Sequence, residues 1–287
     1  MIYHLALIFK KYCTIFNVVH YVSFRAIAAL LSSLLISIIL GKWFIGKSKI
    51  LFPSKVRPWT PEHHKVKDNM PTMGGLLILM CVILNLFLWA NLSKYSIWLF
   101  LLCLLGFGVI GFVDDWSKIK KGYGISAKLK FSLQIFIAFV LVVFWVVLLN
   151  PDTTLCIPFL KNFNPQLGFL FIPWVIFIIV GASNAVNLTD GLDGLAIGSL
   201  ITNFFTYAII CYLAGHLTFA RYLHIPFSNC AEMAVVGAIL VGSSLGFLWY
   251  NAYPAQFFMG DTGSLTIGGI IAVIAIAYVS IAYLGCF

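Results

Sequence analysis

Eight apolar runs, each close to the length a helix needs to cross a hydrocarbon core, follow one another along the chain with polar segments between them. They cover residues 24–40, 71–92, 95–113, 131–149, 167–182, 195–213, 233–250 and 264–284. None alternates apolar and polar positions as a membrane strand would, so each predicts an α-helix that satisfies its own backbone hydrogen bonds in lipid. The fifth run is short and contains Pro173. The expected fold is all-α: a single integral membrane domain over 1–287, with about eight transmembrane helices and functional loops at one end. Residues 1–20 are apolar and basic by turns and predict an interfacial helix. No small-residue cleavage site follows a short apolar core, so no cleaved signal peptide is expected.

Composition agrees with this pattern. Of 287 residues, 62% are apolar and 9% charged, against about 25% charged in soluble domains, and mean hydropathy is +1.02. A water-soluble globule is excluded. The net charge of +9 is spread along the chain and forms no single patch, so no nucleic-acid partner is expected. Its distribution reports orientation instead. Lys42, Lys47, Lys49, Lys55, Arg57, Lys65 and Lys67 follow the first span, and Lys118, Lys120, Lys121, Lys128 and Lys130 follow the third. Lys10, Lys11, Arg25, Lys94, Lys161 and Arg221 fall on the opposite side. The richer side is read as cytoplasmic, with both chain ends outside. Gly242 and Gly246 form a G-x-x-x-G suited to packing helices within or between subunits, which leaves a homodimer open. The cysteines show no metal spacing; Cys156 and Cys230 share outside loops and are the one pair that oxidation could join.

The acids are few and clustered. Asp114 and Asp115 close the third span in G-F-V-D-D-W-S-K. Adjacent like charges at a helix C-terminus oppose the macrodipole. A solvated helix end with Asp114 bridging Lys118 is one account; a bound cation or a cationic substrate contact explains the repulsion better. The stretch S-N-A-V-N-L-T-D-G-L-D-G-L-A-I-G, 183–198, spaces Asn187, Asp190 and Asp193 three apart, with a glycine after each carboxylate. No Lys or Arg balances these acids locally. In F-F-M-G-D-T-G, 257–263, Asp261 precedes the last span and Asn251 lies shortly before. There Thr262, Gly263 and Ser264 can offer amide N–H groups to an anion while Asp261 holds a cation. Lys67 with Pro71-Thr72-Met73-Gly74-Gly75, and Lys128 with Lys130, border the same membrane side. His63 and His64 read as solvated loop residues.

Carboxylates without histidine or thiolate partners select hard cations, Mg²⁺ or Mn²⁺, and Mg²⁺ commonly bridges carboxylate to phosphate. Phosphoryl chemistry at the inner leaflet follows, between a soluble nucleotide-linked donor and a lipid acceptor. An ion transporter would instead place its carboxylates near the bilayer midplane.

The strings P-T-M-G-G at 71–75, D-D-W-S-K at 114–118, N-A-V-N-L-T-D-G-L-D-G-L-A at 184–196 and F-M-G-D-T-G-S-L at 258–265 closely resemble the bacterial phospho-N-acetylmuramoyl-pentapeptide transferases, over residues 67–269. The resemblance implies transfer of phospho-MurNAc-pentapeptide from UDP-MurNAc-pentapeptide to undecaprenyl phosphate in the bacterial inner membrane, giving lipid I and UMP for peptidoglycan synthesis. By motif, it implies Mg²⁺ at Asp261, catalytic Asp114, Asp115 and Asp261, and a substrate site of Lys67, Thr72, Lys130, Asn187, Asp190, Asp193, Asn251, Gly260 and Ser264. Alternatives are transfer of N-acetylglucosamine 1-phosphate to a polyprenyl phosphate and a non-catalytic lipid-binding remnant. Family members continue through two further spans and a histidine-rich loop, whereas this sequence stops at Phe287 after the eighth span, so a C-terminally truncated member is expected. The attacking lipid phosphate is already ionised near pH 7, its second pKa being about 6. Direct attack is therefore expected, with an aspartyl-phosphate intermediate as its rival.

Overall fold

The computed structural model describes residues 1–10, 14–52, 71–149, 153–154, 165–225, 227–228 and 230–281. Ten α-helices carry these segments: α1 (Ile2–Phe9), α2 (Val22–Leu51), α3 (Gly75–Trp89), α4 (Tyr95–Lys121), α5 (Ala127–Leu149), α6 (Phe171–Thr189), α7 (Leu195–Ala214), α8 (Leu217–Tyr222), α9 (Ala231–Asn251) and α10 (Gly260–Ile281). Short 3₁₀ turns cover Thr14–His20 and Gly168–Leu170. Among the described residues there is no strand, only an isolated bridge between Thr154 and Gln166. Six helices are long and apolar enough to cross a membrane, and α3 and α10 supply two shorter apolar stretches. The chain is an all-α, multi-pass membrane protein, and a helix lies in each of the eight apolar runs, six of them long enough to span.

Several ends differ from expectation. α2 runs on to Leu51, so Lys42, Lys47 and Lys49 ride on helix and not on loop. α4 likewise continues past Val113 to Lys121, where Gly122 stops it in the left-handed region at φ +81°. Asp114 and Asp115 are thus interior to α4, two turns before its end. Pro173 lies in the first turn of α6, where its missing N–H costs nothing. The first residues do form a short helix, and its Tyr3 and Ala6 are buried in a small cluster with Val19, beside Trp89 at the end of α3.

α9 is the centre of the bundle, buried along most of its length and packed between α2 and α7. Burying helix against helix in lipid yields little hydrophobic gain, so close backbone approach must supply the attraction. The sequence provides it as a four-residue stripe. Ala29, Ser33, Ser37 and Gly41 of α2 are buried against α9. A Cβ on Gly242 would sit 2.1 Å from Ser33 Oγ, and one on Gly246 would sit 2.4 Å from Ser37 Cβ. The G-x-x-x-G is therefore spent inside the chain and gives no support to a homodimer.

Arg25 is the largest departure. Counted from sequence as a flanking charge, it is instead 2% exposed in the first turn of α2. It pairs bidentately with Glu232 of α9 at 2.6 and 2.8 Å and stacks under Tyr3 at 4.4 Å. A charge this deep persists because its partner neutralises it in place. Cys230 is buried with a free thiol beside Ser228, at 2.6 Å. Its suggested partner Cys156 lies outside the described residues, as do Lys67, His63 and His64.

Candidate active site

α4, α5, α6 and α10 bring their polar ends together at one end of the bundle. Asp115, 3% exposed, turns its carboxylate onto the first turn of α10. It accepts hydrogen bonds from the amides of Asp261 (3.2 Å) and Thr262 (2.9 Å) and from Thr262 Oγ1 (2.8 Å). It thus caps a helix from another helix, where the positive end of the macrodipole favours an anion. The amide donors expected to face a ligand anion are, for Thr262, occupied by this side chain. Close approach makes the cap feasible: a Cβ on Gly111 would lie 2.3 Å from the Asp261 carbonyl, and one on Gly75 would lie 2.1 Å from Gly263 N.

Asp114, also buried, has a different set of partners. It accepts from Ile125 N at 2.8 Å and pairs with Lys118 at 2.8 Å and Lys130 at 3.4 Å. Lys118 also reaches Asp115 at 3.3 Å and Asp261 at 3.1 Å, and Lys130 forms a short ion pair with Asp261. The local Asp114–Lys118 bridge envisaged from sequence is real, yet it belongs to a cluster of three carboxylates and two ammonium groups. Lys118 is the group that sequence reasoning left out of the site; its i+3 and i+4 spacing from both aspartates was the available signal. Lys128 is exposed and outside the cluster.

The loop between α6 and α7 adds the second set of acids. Thr72, Asp115, Lys118, Asn187, Asp190, Asp193, Asn251, Gly260 and Asp261 all line one polar cleft, with Gly191, Leu192 and Phe258. Burial first, then the nearby charges of Asp261 and Asp115, pushes the Asp190 carboxyl up to about 7. Asn187 accepts from Ser264 Oγ at 2.7 Å, which fixes α6 to α10. Asp193 accepts from Ala255 N at 3.3 Å. Asn251 is 3% exposed and spends both ends of its amide on the scaffold, accepting from Gly194 N (3.1 Å) and donating to Phe257 O (3.0 Å). Of the residues expected at the site, the structure brings together all except Lys67, which falls outside the described segments.

Asp114, Asp115 and Asp261 each present one carboxylate oxygen within 4.8 Å of the others. Three oxygen donors with no nitrogen or sulfur form a hard set of the kind that suits a divalent cation between protein and phosphate. The Lys118 and Lys130 ammonium groups can neutralise and align phosphates, and the carboxylates, net negative against these two lysines, can hold a cation beside them.

Residues 97–279, which carry most of this site, match the model of glycosyl transferase family 4. Curated relatives narrow the class. The chain is 46% identical to the phospho-N-acetylmuramoyl-pentapeptide-transferase of Citrifermentans bemidjiense, across 96% of this chain and 78% of that one. It is 48% identical to the enzyme of the same name from Desulfatibacillum aliphaticivorans and 45% identical to that from Aquifex aeolicus, with the same coverage. The chain belongs to the phospho-N-acetylmuramoyl-pentapeptide transferase family and is a glycosyl-1-phosphate transferase.

Proposed function

We propose that this chain moves phospho-MurNAc-pentapeptide from its UDP carrier to undecaprenyl phosphate at the cytoplasmic face of a bacterial inner membrane, forming lipid I and releasing UMP in a Mg²⁺-dependent reaction. The observation that carries this reading is the meeting of Asp115, Lys118, Asp190, Asp193 and Asp261 in one cleft at the end of an apolar bundle. The donor is water-soluble and the acceptor is a lipid, and a polar cleft at the end of an apolar bundle suits a reaction between the two.

Asp261, with Asp114 and Asp115, would hold the cation, which supplies charge neutralisation and a template for phosphate oxygens. Lys118 and Lys130 already stand among these carboxylates with ammonium groups that can hydrogen-bond an incoming diphosphate. Asn187, Asp190, Asp193, Asn251, Thr72, Gly260 and Ser264 shape the donor side. The ionised acceptor phosphate attacks the sugar-linked phosphorus, the bond to the UMP oxygen breaks, and no base is required. The dominant barrier is the approach of two anions, which the lysines lower electrostatically. The bonds that hold both Asp115 oxygens to the start of α10 favour a positioning role over attack on phosphorus.

The test is UMP release by the purified 287-residue chain with UDP-MurNAc-pentapeptide, undecaprenyl phosphate and Mg²⁺. Asp261→Ala should lower turnover by about 10²- to 10³-fold, the scale for losing a preorganised charge at a reacting centre. Equal turnover removes the metal assignment. Release from a UDP-N-acetylglucosamine donor instead reassigns the sugar. Binding of polyprenyl phosphate without UMP release from either donor defines a lipid-binding protein. A phosphorylated aspartate trapped with donor alone overturns direct attack.

A further inference from the structure

We propose that Gln134 of α5 and Asn184 of α6 form a positioning pair that holds Lys130 against Asp261; this rests on the function proposed above. α5 is the least anchored of the helices that build the site. Its buried side chains are Gln134, Ala138, Leu141, Val142 and Trp145, while Ile135, Phe136, Phe139 and Phe144 are exposed. Gln134 is the buried polar side chain of α5 nearest the site, and it is fully enclosed. Asn184 Nδ2 donates to Gln134 Oε1 at 2.7 Å, and Gln134 Nε2 donates back to Asn184 Oδ1 at 3.4 Å. Asn184 Nδ2 also donates to Val180 O at 2.8 Å, which fixes the direction of its amide and hence of the pair.

The register explains why this pair matters to chemistry. Lys130 lies one turn before Gln134 on the same face of α5, and Asn187 lies nearly one turn beyond Asn184 on α6. α6 grips the start of α10 directly, through Asn187–Ser264 at 2.7 Å and Ser183 Oγ to Leu265 O at 2.9 Å. α5 touches that turn through Lys130 itself. The amide pair closes the triangle, tying the lysine-bearing helix to the helix that fixes α10. Apolar packing in lipid would not hold α5 in register as firmly. A displacement of 1 Å at reacting groups can cost on the order of 10²-fold in rate.

Gln134→Leu, Asn184→Leu and the exchanged pair Gln134→Asn with Asn184→Gln are compared, each also in a Lys130→Arg background, by steady-state UMP release and by amide hydrogen exchange of the first turns of α5. If the pair positions Lys130, Gln134→Leu lowers kcat about tenfold with the donor KM changed less than twofold. The same substitution costs less than twofold further in Lys130→Arg. The exchanged pair recovers at least half of kcat, and amides 128–133 exchange several-fold faster in Gln134→Leu. Wild-type kcat in Gln134→Leu, or an undiminished tenfold loss in Lys130→Arg, overturns the proposal. Should the wild-type chain release no UMP, the proposed function fails, while exchange still decides the pair: faster exchange in Gln134→Leu supports it and unchanged exchange overturns it. Asn184→Leu and the exchanged pair supply the same readings if Gln134→Leu does not fold.

Discussion

Gly260 sits at φ +73° at the start of α10, and a Cβ there would lie 2.7 Å from Asp115 Oδ2 and 3.2 Å from Thr72 Oγ1. Gly260→Ala must therefore strain the backbone and displace the carboxylate that caps α10. The expected cost is about 1–3 kcal/mol of stability and at least a tenfold loss of turnover, read by thermal unfolding in detergent and by UMP release. Asp190 gives a prediction in pH. Its carboxyl is raised to about 7 in the folded chain, so the folded state binds the proton more tightly than the unfolded one, whose carboxyl titrates near 3.9. Stability from this group is present at low pH and is lost as pH rises from about 4 to about 7. Thermal unfolding without divalent cations should show that decline in wild type and a smaller one in Asp190→Asn; parallel curves would refute it. The aspartates were legible in sequence because ionised groups at the ends of apolar spans are costly. Lys118 was not, because its bridge to Asp114 is complete within α4 and says nothing of its contact with Asp261, which only tertiary packing creates.

Helices were legible for an equally physical reason: an apolar run long enough to cross the bilayer can satisfy its backbone only as helix. Their ends were not, because α2 and α4 continue out of the apolar zone as amphipathic extensions carrying lysines. Arg25 shows the limit most clearly. Read as a flanking charge, it is in fact the polar clasp between α2 and α9, with Asn91 N also donating to Glu232 at 3.3 Å. Nothing along the chain links residue 25 to 232. Arg25→Met should destabilise by about 3–5 kcal/mol, since it strands a buried carboxylate. Arg25→Met combined with Glu232→Leu should recover most of that, because the double variant buries no unpaired charge. Thermal unfolding of the single and double variants checks both, and a double variant no more stable than the single would show that the clasp acts through something other than charge pairing.

At the scale of the molecule, the charged residues divide between two ends with different work. One end gathers Asp114, Asp115, Lys118, Lys130, Asp190 and Asp261 around an open cleft. From it α7 begins at Leu195 just past the acidic loop and carries the chain across to Ala214, so α8 lies at the far end, with Tyr222 81% exposed. Twelve of the eighteen basic residues follow the first and third spans in the sequence, and those of them among the described residues lie at the cleft end of α2, α4 and α5; such a bias orients membrane proteins with the basic side inward. A membrane-impermeant maleimide tests the consequence in spheroplasts, with Cys13, Cys156 and Cys286 changed to serine; Cys81, Cys103, Cys211 and Cys230 are buried. Tyr222→Cys should be labelled from outside, and Lys128→Cys, exposed at the start of α5, only after the membrane is opened. The reverse pattern would leave the fold intact but turn the cleft away from the compartment that supplies nucleotide-linked sugars, and the proposed reaction would then have no donor.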